Sequence, residues 1–149
     1  MSIVRWLMAF LLAVVVTAVL GSIIQSQFNL ASITALGVSV PVSTRFEVIL
    51  FDLLSFAPTY GIIAAFALLI ALLVAAWPAS VFPALKQFWY GLAGFLAIYT
   101  ALVIMNAMLP VTVIGAARST AGMMSLSMAG ALGGWLYGLL WAQRQNGQN

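Results

Sequence analysis

Apolar residues run in four long blocks, with no strict alternation inside them and few polar interruptions. The blocks cover about 3–24, 59–77, 88–109 and 121–141. Each holds close to the ~20 apolar residues that a helix needs to cross the hydrocarbon core of a bilayer. Within lipid a peptide group finds no partner outside its own segment, so these blocks must be helical. The pattern therefore predicts an all-α integral membrane protein, a four-transmembrane-helix bundle forming a single membrane domain over 1–149. The first block is expected to be retained: its apolar run is longer than a signal-peptide core, and Val19–Leu20–Gly21 is a poor cleavage site.

The segment 25–58 is the one sizeable outer loop. Gln25, Gln27, Asn29 and Ser32 open it. Residues 38–43 alternate apolar and polar, which suggests extended chain. Thr44–Arg45–Phe46–Glu47 then matches a capping box. It is followed by an apolar run that ends near Pro58. These signals predict a short amphipathic helix near 45–56, lying in the outer interface. Pro78 and Pro83 are expected to break the chain between spans two and three, and Pro110 to end span three.

Composition supports the membrane reading. Hydrophobic residues make up 65% of the chain and charged residues 5%, against the ~25% charged of a soluble domain. There is no Cys and no His. Thiol nucleophiles, disulfides, imidazole bases and the usual zinc sites are thereby excluded, and no metal or cofactor is expected. A net charge of +3 is too dilute to suggest nucleic acid as a partner. The cations inform topology instead. Arg5, Lys86 and Arg144 share one side with both termini, against Arg45, Arg118, Glu47 and Asp52 on the other. All five tryptophans (Trp6, Trp77, Trp89, Trp135 and Trp141) fall toward the first side, with Tyr90 and Tyr137. By the positive-inside rule that side is cytoplasmic, and the expected setting is a bacterial inner membrane.

One polar constellation is a candidate site. Asp52, the odd acid of the outer helix, is costly near hydrocarbon without a partner. Arg45 is seven residues away, so Arg118 in the other outer loop is the expected partner. Asn106 and Tyr60 can join them at the outer face. The plainer alternative makes these interfacial residues that satisfy loop backbone, with one ion pair. Ser119 or Thr120 is placed to cap span four.

Small residues recur at spacing four in every span: Ala9, Ala13, Thr17 and Gly21; Ala67, Ala71 and Ala75; Ala93, Ala97 and Ala101; Gly130, Gly134 and Gly138. In lipid such stripes mark close-packed faces. Span four carries a second small face, Ala129 and Gly133. Two such faces suggest one contact inside the protomer and one with a neighbour, hence a homo-oligomer, dimer or trimer.

Three functions follow from these residues. The first is a non-enzymatic packing or binding protein holding membrane lipid or another hydrophobic molecule, or an accessory subunit of a larger membrane complex. Methionines such as Met105, Met123 and Met128 offer it a deformable surface. The second is an oligomeric channel or carrier for a small solute, with Thr17, Thr100, Asn106, Ser125 and Ser127 as lining. The third and weakest is an interfacial lipid-modifying enzyme with Asp52 as base and Arg118 on a phosphate. The residues depart from the known small four-span families. Span one lacks the acid of small multidrug transporters, the helices lack the charges of the microsomal glutathione transferases, one aspartate stands where prolipoprotein signal peptidases need two, and tetraspanin cysteines are missing.

Overall fold

The computed structural model describes residues 3–142; Arg144 and the side chain of Trp141, both invoked above for topology, lie outside the described residues. The chain is all-helical. Helix α1 spans Ile3–Ala35, α2 Val42–Val81, α3 Lys86–Met108 and α4 Thr120–Ala142. Two 3-10 turns, Pro83–Leu85 and Gly115–Arg118, sit in the connections. All four α-helices are long and apolar enough to cross a membrane.

The helices form a ring in chain order. α1 packs on α2 and α4, α3 packs on α2 and α4, and the diagonals barely meet. Neighbours are antiparallel: Gly21 meets Tyr60 across the first seam, while Gly94 meets Gly130 and Tyr90 meets Gly134 across the last. The start of α1 and the end of α4 therefore lie at the same end of the bundle, here called the inner end. One core cluster, around Phe10, Leu68, Leu72 and Tyr90, fills the inner half. A second, around Tyr60, Ile98, Leu102 and Leu126, fills the outer half.

The outer region differs from the sequence expectation. No separate short helix exists at 45–56; those residues are the first part of α2, which runs unbroken through Pro58 and Pro78. A proline removes one intrahelical bond. A break at the membrane boundary would strand several peptide groups at once, which costs more. Span two consequently does not stop at Trp77. It ends at Val81, where the Phe82 N–H donates to the Pro78 carbonyl at 2.9 Å. The Thr44–Glu47 capping box does not form, because the helix starts earlier, just after Pro41, with no side-chain cap. Pro41 sets a fixed φ of −59° for that entry.

Helix α1 likewise continues past residue 24 to Ala35. Of the polar residues that look like the start of a loop, Gln25 is buried and Asn29 half-buried, whereas Gln27 and Ser32 are exposed; Ser22 and Ser26, on the same face as Gln25, are buried with it. The helix stops at Gly37, whose φ of +84° is the left-handed conformation that glycine adopts without a Cβ penalty. At the start of α4 the expected cap does form. Ser119 Oγ accepts the Gly122 N–H at 3.0 Å.

With 33 and 40 residues, α1 and α2 are roughly 50 and 60 Å long at 1.5 Å per residue. α3 and α4, with 23 residues each, are roughly 35 Å long, close to the ~30 Å of a bilayer core. The excess of α1 and α2 is all at the outer end. There they form a helical hairpin, underpinned by the 109–119 connection.

The glycines of α4 are consumed inside the chain. A Cβ on Gly134 would strike the Tyr90 carbonyl, and one on Gly94 would strike the Gly130 carbonyl. Gly138 lies against Tyr90 and Gln87. On its other side, Gly133 meets Thr17 and the Ala13 carbonyl of α1, and Ala129 one turn away is buried. Both small faces thus pack within the protomer, one on α3 and one on α1. The second face is no longer an argument for a contact with a neighbouring copy.

Gly134→Ala should force α3 and α4 apart and cost about 1–3 kcal/mol, as overpacking does. The matched control is Gly91→Ala, whose Cβ would find its nearest atoms at 3.6 Å. It should be neutral or slightly stabilising. Apparent melting temperatures in detergent distinguish the two.

Candidate functional site

The five outer candidates do not converge. Asp52 is half-buried, and its carboxylate accepts a hydrogen bond from Ser26 Oγ at 2.6 Å. Ser26 also lies 3.0 Å from the Ser22 carbonyl of its own helix. One hydroxyl proton serves one acceptor at a time, and the carboxylate is the stronger. Asp52 and Arg118 form no ion pair among the described residues; Arg118 stands exposed at the end of its 3-10 turn. The expected pairing is therefore replaced by a serine on the adjacent helix. The reason is register: α2 begins 17 residues before the predicted span, at Val42 rather than 59, which brings Asp52 alongside α1 rather than under the second loop.

Asn106 has a structural task. Its Nδ2 donates to the Ala117 carbonyl at 3.2 Å and tethers the 109–119 connection to α3. Tyr60 is buried, with its ring stacked on Phe56 at 5.3 Å and laid over Gly21. Its hydroxyl has no partner. Arg45 is half-buried and lines a shallow depression with Gln27, Phe28, Ala31, Thr34 and Ala35, well out along the hairpin.

The polar residues that do come together belong to one face of α1. Gln25 Oε1 accepts the Ala116 N–H at 2.8 Å and pins the second outer connection against the bundle. Gly115 beside it packs on Gln25 and Asn29. Ser22 is buried with its hydroxyl unpartnered. Ser22, Gln25, Ser26 and Asn29 sit at spacing i, i+3, i+4, i+7, which is the signature of one helix face. Read for polar rather than apolar residues, that spacing could have revealed both the longer α1 and its inward polar side.

A different feature dominates the membrane-facing surface. A groove of about 760 Å³ lies between α2 and α3. Its floor carries the two alanine stripes, Ala67, Ala71 and Ala75 from α2 and Ala93, Ala97 and Ala101 from α3. Its walls are larger side chains, among them Phe66, Ile70, Val74, Leu92, Leu96 and Ile104. Thr100 is the one hydroxyl in the lining. At the inner end stand Pro78 and Trp89. Trp89 is held by Phe82 and Phe88 at centroid distances of 6.5 and 5.8 Å. Its indole N–H is buried without an acceptor. From Ile63 to Pro78 the groove extends roughly 22 Å along α2, at 1.5 Å per residue.

The other hydroxyls proposed as a path lining are committed elsewhere. Thr17, Ser125 and Ser127 each donate to the carbonyl four residues earlier in their own helix, at 2.8 Å. Among the described residues Asp52 is engaged with Ser26, and Arg118 forms no ion pair with it.

Fold and site together define an all-helical chain with four helices able to cross a membrane, a polar seam at its outer end and an apolar groove on one flank. No protein-family model, curated protein or solved structure matches this chain.

Two single substitutions separate the structural roles at the outer seam. Ser26→Ala leaves the Asp52 carboxylate half-buried without its partner and should cost about 1–3 kcal/mol. Tyr60→Phe removes a buried hydroxyl that bonds nothing, and should be neutral or stabilising by up to about 1 kcal/mol. Exchanging the charges of Asp52 and Arg118 should restore nothing lost in either single change. Thermal unfolding of the purified variants reads all of these.

Proposed function

We propose that this protein is a non-enzymatic integral membrane protein that holds a lipid acyl chain or a similar hydrophobic molecule. The observation that carries the proposal is the α2–α3 groove, with its alanine floor and almost wholly apolar lining. Helices in lipid associate through close packing, because the lipid tail is as apolar as any side chain. Where two helices pack through alanine and carry larger residues on either side of that seam, the recess left along its outer face has to be filled. A flexible alkyl chain fills such a space at little ordering cost.

The setting we propose is a bacterial inner membrane with both termini cytoplasmic. Arg5 and Lys86 at the inner end support that orientation, as does the presence of Arg144 in the sequence just after α4. A homo-oligomer, dimer or trimer, or a place as accessory subunit in a larger membrane complex, belongs to the same proposal. Neighbouring chains then meet through faces other than the α4 glycines, which are occupied within the chain.

Gentle extraction followed by native mass spectrometry tests the reading. The wild-type chain should carry bound lipid that survives delipidating washes. Filling the groove with Ala67→Phe and Ala101→Phe, both at half-buried positions, should remove most of that lipid while leaving the melting temperature within a few degrees. A filled groove that retains as much lipid as the open one defeats the proposal.

A further inference from the structure

The outer hairpin projects past the rest of the bundle. The 109–119 connection reaches α1 at Gln25 and Asn29, and Asp52 of α2 lies level with Ser26. Beyond those residues α1 runs on to Ala35, and α2 starts back at Val42. From Asp52 to Val42 the projection measures roughly 15 Å, at 1.5 Å per residue. A bilayer core matched to α3 and α4 ends near their outer ends, so acyl chains do not cover it. Its far side is nevertheless apolar: Phe46, Leu50 and Phe51 are 67%, 62% and 69% exposed. Large apolar side chains grouped outside the hydrocarbon mark a contact surface. Two opposite charges accompany them. Arg45 is half-buried in the depression of about 640 Å³ that it forms with Gln27, Phe28, Ala31, Thr34 and Ala35. Glu47 is exposed. At 100° per residue it lies about 160° round α2 from Arg45, and Leu50, Phe51 and Leu54 fall within about 60° of it. Among the described residues neither Arg45 nor Glu47 has a side-chain hydrogen bond or an ion pair. They stand roughly 3 Å apart along the helix axis, so the recess that holds the cation and the ridge that carries the anion share one height.

Copies of one membrane protein enter the bilayer in one orientation and at one depth. A feature of one copy therefore meets whatever its neighbours carry at that height. An anionic lipid headgroup would answer Arg45 but leave Glu47 and the apolar ridge uncovered. A second copy answers both at once. We propose that the outer hairpin is the self-association surface of this chain: the ridge of Glu47, Leu50 and Phe51 on one copy seats in the Arg45 depression of the next. Recess and ridge lie on different sides of the hairpin, so the contact is heterologous, and the smallest ring that such a contact closes is a trimer. Glu47 offsets the cost of enclosing the Arg45 guanidinium. Outside the hydrocarbon, unlike within it, water expels apolar surface, and the ridge supplies that attraction. The inference rests on the homo-oligomer of the proposed function and gives it a surface; it is independent of what fills the α2–α3 groove.

The sequence has no cysteine, so single introduced cysteines report the contact directly. Ala31 lines the recess and Leu50 stands on the ridge. Full chains carrying Ala31→Cys and Leu50→Cys, co-expressed in one membrane and oxidised before extraction, should form a cross-linked dimer several times more strongly than either variant expressed alone. Arg45→Glu and Glu47→Arg should each reduce the oligomer seen by native mass spectrometry severalfold, and the chain carrying both exchanges should recover it. Arg118→Gln, which removes a cation of the outer end that lies outside the recess, should leave it unchanged. The cross-linking alters no charge, so it reads the contact even where a charge variant folds poorly. An oligomer whose mixed cysteine variants cross-link no better than the single ones overturns the hairpin contact and leaves the homo-oligomer standing. So does an oligomer that either single charge reversal leaves intact. A wild type with no oligomer by native mass spectrometry, whose cysteine variants also fail to cross-link in the membrane, overturns both.

Discussion

The seam between α3 and α4 is made of backbone against backbone. Gly94, Gly130 and Gly134 let the helices approach so closely that a Cβ on any of them would strike a carbonyl of the other helix. In lipid nothing expels apolar surface, so helices gain only what direct packing supplies. A seam made of backbone supplies the most, because no side chain has to be ordered to form it. α4 turns its second small face, Gly133 and Ala129, to α1. It is therefore enclosed on both sides by its own chain.

That arrangement leaves α2 as the helix with an open flank. It is anchored at its outer end to α1, through Gly21, Tyr60, Ser26 and Asp52. Toward the inner end it leans on Leu68, Leu72 and Ala79, which are buried in the core. Its Ala67–Ala71 edge packs toward α3 along a seam that opens outward into a groove. Small residues at the same spacing thus have two outcomes. Glycine on α3 and α4 closes a contact, whereas alanine flanked by Phe66, Ile70, Val74 and Leu96 leaves a channel-shaped recess. The bulk of the flanking residues decides which.

The outer end is held by a separate device. Gln25 from α1 accepts the Ala116 N–H, Asn106 from α3 donates to the Ala117 carbonyl, and Ser119 caps α4. These bonds come from three directions and fasten the 109–119 connection. A connection so close to the hydrocarbon boundary needs its peptide groups satisfied by protein. The polar residues near the outer face serve that need first, which is why Asn106 and Gln25 read as structural and why Asp52 and Arg118 go separate ways.

The four helices, their approximate inner ends and the class of solvent around them were legible in the residues alone. A run of about twenty apolar residues admits one backbone solution in lipid, and that constraint is local. The serine cap of α4 was legible for the same reason. Local signals misled where neighbouring structure outweighed them. Pro58 looked like a boundary, but lost one hydrogen bond and not the helix. Gln25 and Asn29 looked like loop, but faced the interior. The α4 glycines signalled close packing without saying against what, since spacing marks a face and does not name its partner. Which helix met which face, the replacement of Arg118 by Ser26 beside Asp52, and the opening of the alanine stripes into a groove were decided only by tertiary structure. They depend on how far two helices can approach, and that distance is set by side chains from both at once.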